Sequence, residues 1–246
     1  MKFSTKLAAT ALALTVSTAS FAEDKAPNPA DLTAANTFGA IQVGGDKDNK
    51  FVGGMFGIAG QYSEGNIFLG MVEHRGSTDA DNLYTRARYF QILDTEVNLF
   101  PQVGFSIDYN KAYGPKEAGG DIDTVALGVI GKLDTGMDWL TLYPNVGAVE
   151  VKFDGVKSRG YIANLFASIY MGDDGSYLML QPQSTITKDI NIYKFEVAYG
   201  APMNDKGTLW WEAKAGYTKT ELDSKYLEGK HKDSNTEVLL GLYYYF

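Results

Sequence analysis

The last nine residues constrain the fold most. From Val238 to Phe246 the chain reads Val-Leu-Leu-Gly-Leu-Tyr-Tyr-Tyr-Phe. A strand sends successive side chains to opposite faces. Val238, Leu240, Leu242, Tyr244 and Phe246 then form one apolar stripe. Leu239, Gly241, Tyr243 and Tyr245 form the other. A water-soluble sheet rarely shows such a stripe to solvent at its end. A strand with lipid on one side and a filled interior on the other requires it.

The rest of the chain repeats the pattern. Short alternating runs fall at 37–44, 51–62, 67–75, 83–92, 97–109, 124–133, 140–153, 160–171, 177–187, 190–201, 209–220 and 236–246, separated by turn chemistry. Twelve is even, as single-chain bacterial barrels require, and the lengths cluster near the ~9–11 residues of a tilted membrane strand. The 27 Gly, 16 Tyr and 13 Phe suit packed, twisted strands. A mean hydropathy of −0.18 is consistent with a barrel, where only every second strand residue meets lipid. The terminal Phe246 resembles the closing residue of Gram-negative outer-membrane β-barrels. That resemblance is to the broad class, and it implies recognition by the barrel-assembly machinery through Phe246. The expected fold is all-β, a closed antiparallel transmembrane barrel of about twelve strands. A soluble secreted β-sandwich is the competing fold.

The amino end reads as a leader. Lys2 and Lys6 precede an apolar stretch, 7–16, too short to span a bilayer as a helix. Ser20-Phe21-Ala22 then offers small residues for cleavage. The expected organisation is a cleaved signal peptide over 1–22, a flexible periplasmic lead-in over 23–35 and a barrel over 36–246. The lead-in rests on Pro27 and Pro29. The chain has no Cys, which excludes disulfides and thiolate metal sites. Its net charge of −8 falls to −10 once Lys2 and Lys6 are removed, which argues against nucleic acid.

Cost assigns the faces. An Arg or Lys facing mid-bilayer lipid costs about 2–4 kcal/mol. Arg86 and Arg88 should therefore face the lumen, as should Asp108, Glu150 with Lys152, Lys194 with Glu196, and Glu212 with Lys214. These nine are the expected pore-lining residues. Glu73, Arg75, Lys132 and Glu237 extend the set and leave it near neutral. A near-neutral wall points to weak selectivity. Two arginines on one strand face could grip a carboxylate, but pairing with Glu73 or Asp108 competes. Pro144 and Pro182 should mark bulges or strand ends. The longest connections, 110–123 and 221–235, should be outer loops, with 188–189 an exceptionally tight outer turn.

Other chemistry is sparse. His74 beside Glu73 and Ser77, and His231 near Asp233, could each be drawn as part of a hydrolytic constellation, but neither spacing matches a motif. Asp46-Lys47-Asp48, Asp79-Ala80-Asp81 and Asp121-Ile122-Asp123 lack a full calcium-loop ligand set. Gly44-Gly45, Gly53-Gly54 and Gly119-Gly120 lack the context of a phosphate cradle and suit turns and strand crowding. Trp210-Trp211 and 243–245 suit an aromatic girdle. The expectation is an outer-membrane pore for small polar solutes, with no enzyme activity and no cofactor, set among outer-membrane lipid and lipopolysaccharide. The alternative is a plugged structural barrel whose outer loops bind an external partner.

Overall fold

A computed structural model describes residues 27–34, 36–77, 83–113, 121–153, 156–223 and 230–246. The expected leader, Asp79-Ala80-Asp81 and Gly119-Gly120 lie outside the described residues, as does the side chain of His231. Twelve strands follow in order: β1 (Phe38–Asp46), β2 (Lys50–Ser63), β3 (Asn66–Ser77), β4 (Leu83–Asp94), β5 (Gln102–Tyr113), β6 (Ile122–Lys132), β7 (Leu140–Phe153), β8 (Val156–Tyr170), β9 (Tyr177–Thr187), β10 (Ile190–Pro202), β11 (Leu209–Asp223) and β12 (Lys230–Tyr245). Each pairs antiparallel with its sequence neighbours, and β1 pairs β12 from Phe38↔Tyr245 to Asp46↔Glu237. The sheet is a closed barrel, so no strand edge is left unpaired. Thr37, just before β1, and Phe246, just after β12, meet at one rim (Phe246 N to Thr37 O, 3.0 Å).

The outer wall carries the expected stripes. Ile41 and Val43 on β1, Phe105 and Ile107 on β5, and Val238, Leu240 and Leu242 on β12 all point out of the barrel. Their inward neighbours Gln42, Ser106 and Leu239 are buried. Aromatic pairs stand near the rim that holds the termini: Tyr244 with Phe246 (centroids 5.2 Å apart) and Tyr199 with Trp211 (5.4 Å). This suits the interfacial belt of a membrane barrel. Trp210 departs from the girdle assigned to it, because its parity turns it inward, where it is 4% exposed.

Strand limits differ from the sequence reading in two ways. The 97–109 run becomes a strand only from Gln102, because Thr95 and Pro101 close a turn (Thr95 N to Pro101 O, 2.8 Å). At the opposite rim the strands run on: β11 reaches Asp223 and β12 starts at Lys230, so the expected long loop over 221–235 is mostly hairpin. The β5–β6 connection shortens likewise, whereas the tight 188–189 turn is present. Pro144 and Pro182 cause neither a bulge nor a strand end. The β6–β7 ladder stops at Ile130↔Asn145 and resumes at Leu133↔Leu142, with the register kept. The β8–β9 ladder likewise skips between Asn164↔Gln183 and Ala167↔Leu180. A proline lacking a donor interrupts only the ladder its nitrogen faces.

Candidate functional site

The lumen holds a segment that the periodicity did not reveal. Ala30 is fully buried among Phe38, Tyr177, Trp210, Tyr243 and Tyr245. Leu32 packs on a second cluster of Leu69, Phe90, Ile92, Ile130, Tyr143 and Phe166. These clusters come from β1, β3, β4, β6–β9, β11 and β12, on opposite sides of the wall. A segment touching all of them lies inside the barrel. The stretch expected as a flexible lead-in is therefore, across 27–34, an internal plug at the rim that holds the termini. Polar contacts fix it. The Tyr143 hydroxyl donates to Asp31 Oδ1 at 2.6 Å, and Lys132 Nζ lies 3.1 Å from Asp31 Oδ2. Ser168 Oγ donates to the Ala30 carbonyl at 2.7 Å.

Further along the lumen lies a belt of charge. Arg86 donates through Nε and Nη2 to the two carboxylate oxygens of Asp108, at 3.0 and 2.6 Å. Arg88 Nε reaches the same carboxylate at 3.1 Å. Arg75 lies between Glu73 (3.0 Å) and Glu237 (3.2 Å). To reach Glu237 on β12 it crosses the inner faces of β1 and β2. Gly53 makes room, since a Cβ there would sit 2.5 Å from Arg75 Cγ. Lys194 and Glu196 pair at 3.2 Å. Glu212 accepts from the hydroxyls of Tyr177 (2.6 Å) and Tyr243 (3.0 Å). Glu196 on β10 also interacts with Arg86 on β4, six strands away, so the belt acts across the lumen.

Seven of the nine expected pore-lining residues meet here: Arg86, Arg88, Asp108, Lys194, Glu196, Glu212 and Lys214. With Glu73, Arg75 and Glu237 they give five cations and five carboxylates. Both arginines pair with Asp108, the neighbour weighed against a gripped carboxylate.

Glu150 and Lys152 require correction. Val149 and Val151, 4% and 0% exposed, hold the inward positions of β7. Glu150 and Lys152 point outward, where Glu150 meets Arg159 (2.7 Å) and Lys157 (3.5 Å). The cost rule fails there because this end of β7 extends past the hydrocarbon layer. The inward valines join Ala126 and Ile190 in an apolar cluster on the inner face of the wall near the rim opposite Phe246.

Between plug and belt lies a cavity of about 150 Å³, bordered by Asp31, Leu32, Arg88, Glu196, Glu212 and Lys214.

The remaining candidates separate. His74 donates to or accepts from the Thr85 hydroxyl at 2.9 Å on the outer wall, while Glu73 and Ser77 are buried on the inner face of the same strand. That constellation is not assembled. Asp121 and Asp123 flank Lys111 at 2.9 and 3.6 Å, and no cluster of metal-ligand type occurs among the described residues.

A closed twelve-strand wall with an apolar outer face and a charged interior defines a porin-like outer-membrane β-barrel. No family model matches the chain, and no curated protein matches its sequence. The chain is similar to several solved porin structures. The KdgM porin aligns at a TM-score of 0.54 and 9% identity, over 85% of this chain and 99% of that one. The NanC porin aligns at 0.49 and 11% identity, over 84% and 98%. An anion-selective porin from Comamonas acidovorans gives 0.40 and 10%, over 85% and 98%. At these identities the likeness is one of fold.

Proposed function

We propose that this protein, exported with residues 1–22 removed, is an outer-membrane pore for passive passage of small polar solutes, closed at rest by its own amino-terminal segment. Both termini face the periplasm. One observation carries the reading: residues 27–34 lie inside one end of the lumen, held to the wall by Lys132, Tyr143 and Ser168. Five cations against five carboxylates create little net field, which supports weak selectivity. The pore chemistry needs no catalytic group and no cofactor. Lipid and lipopolysaccharide surround the barrel, and Phe246 addresses the assembly machinery.

The test is planar-bilayer conductance of the refolded chain from Glu23 and of a variant lacking 23–36. The complete chain is expected to open rarely. The shortened one is expected to give steady steps that reverse near zero voltage under a salt gradient. An engineered Ala30→Cys/Ser168→Cys pair, in a chain with no other Cys, should hold the barrel shut until reductant is added.

A second reading has an observation in its favour. The apolar cluster around Val149, Val151 and Ile190 narrows the other end of the lumen from one side. If the shortened chain is silent, the barrel is structural or binds an external partner at its outer rim.

A further inference from the structure

The outer face of β7 and β8 carries a charge pattern that neither lumen nor pore explains. From Leu140 to Ala148 β7 has no charged residue, and from Tyr161 to Ile169 β8 has none. These stretches are in register, Leu140↔Ile169 and Ala148↔Tyr161. Nine residues are the span of a tilted strand across hydrocarbon. Tyr161, 78% exposed, stands where an interfacial aromatic belongs. The next outward positions are Glu150 opposite Arg159, then Lys152 opposite Lys157. Lys188, exposed at the β9–β10 turn, follows directly on the Gly160↔Thr187 pair beside Arg159. Four cations therefore stand on this face with one outward carboxylate, Glu150, since Asp189 turns to accept from the buried Ser158 hydroxyl at 3.1 Å, on a chain whose net charge is −8.

The fold alone disfavours this arrangement. Like charges directly opposite on paired strands are destabilising. Glu150 serves Arg159 and Lys157, while Lys152 and Lys188 make no ion pair among the described residues. Asp123, the β6 neighbour of Lys152, lies 3.6 Å from Lys111 and accepts from the Tyr109 hydroxyl at 3.4 Å. Elsewhere on this ring Lys111 pairs with Asp121, and Lys219 and Lys232 pair with Glu221 at 2.7 and 3.2 Å, while Lys50 stands alone among the described residues with no second cation opposite it.

We infer that Lys152, Lys157, Arg159 and Lys188 form a docking surface for the phosphate groups of a phosphorylated glycolipid in the outer leaflet. The patch sits just above the hydrocarbon boundary and faces sideways, where a headgroup phosphate lies and a solute in the lumen does not. The inference rests on the orientation proposed above, with the termini inward.

The test uses the complete refolded chain from Glu23 in neutral detergent, with retention of phosphorylated lipid A measured by native mass spectrometry. Replacing all four cations by Gln should weaken retention at least about tenfold, since each surface cation near anionic lipid adds to the attraction. A Lys219→Gln/Lys232→Gln variant should retain lipid A like the parent. Dephosphorylated lipid A should bind the parent as weakly as the phosphorylated form binds the fourfold variant. Heat-modifiable gel migration confirms that each variant folds. If the fourfold variant folds poorly, the parent's loss of lipid A with rising salt gives the answer. Equal retention by parent and fourfold variant, no preference for phosphate, or indifference to salt would overturn the inference. Conductance of the fourfold variant should match the parent, so a silent pore leaves this result standing. Labelling of Lys188→Cys on intact cells by an impermeant maleimide reports the orientation separately.

Discussion

Asp31 is the residue on which the state of the lumen turns. Lys132, Thr33 and Tyr143 all reach its carboxylate, and Tyr170 acts on it electrostatically. Burial alone would raise its pKa. The Lys132 charge and the hydrogen bonds from Thr33 and Tyr143 outweigh that and hold it below the ordinary aspartate value of 3.8. A depressed carboxyl stabilises the docked plug at neutral pH. That contribution is lost as pH falls below the ordinary value and through the lowered one. Conductance should therefore be flat from neutrality to mild acid and rise in strong acid. Asp31→Asn should open at neutral pH as often as the parent does in acid. A parent record that opens equally at every pH would detach Asp31 from gating. Nothing local announced this residue. Its wall partners Lys132 and Tyr143 are over a hundred positions away in sequence, and 27–34 has neither strand nor helix period.

At the scale of the strand, cost ordered most of the faces. Arg86, Arg88, Lys194 and Lys214 point inward because outward they would meet hydrocarbon. Glu150 and Lys152 escaped that logic because they lie one turn of the pleat beyond the lipid, where water bathes the outside. Val149 and Val151 carried the contrary signal. A barrel that is filled rather than hollow can turn Val inward as readily as Lys. Substitutions should map the boundary. Leu240→Arg, on the lipid face of β12, should cost about 2–4 kcal/mol in urea unfolding from bilayers, and Lys152→Ala should change it by less than about 0.5 kcal/mol. Equal costs would remove the boundary from β7. Strand limits followed the same division. β7 and β9 match their expected ends, whereas the outer ends of β5, β11 and β12 run on through polar sequence that gives no hydrophobic alternation.

For the whole molecule, number of strands, closure and membrane setting were all legible from alternation, because a barrel writes the same period into every strand. What fills it was not, since a plug and a cross-lumen belt are tertiary arrangements. The belt joins β4 with β5, β3 with β12, and opposes β10 to β4. It ties distant parts of the wall together, as hoops do a cask.

β1 is where such a cask is weakest. It spans nine residues and holds β2 by eight residue pairs and β12 by nine, against thirteen between β10 and β11. If the wall breathes, it should part first along β1. Amide exchange in micelles should then be faster for Ile41 and Val43 than for Val197 and Ala215. The same slit would face the surrounding lipid sideways, giving the barrel a second, lateral way to let a molecule leave.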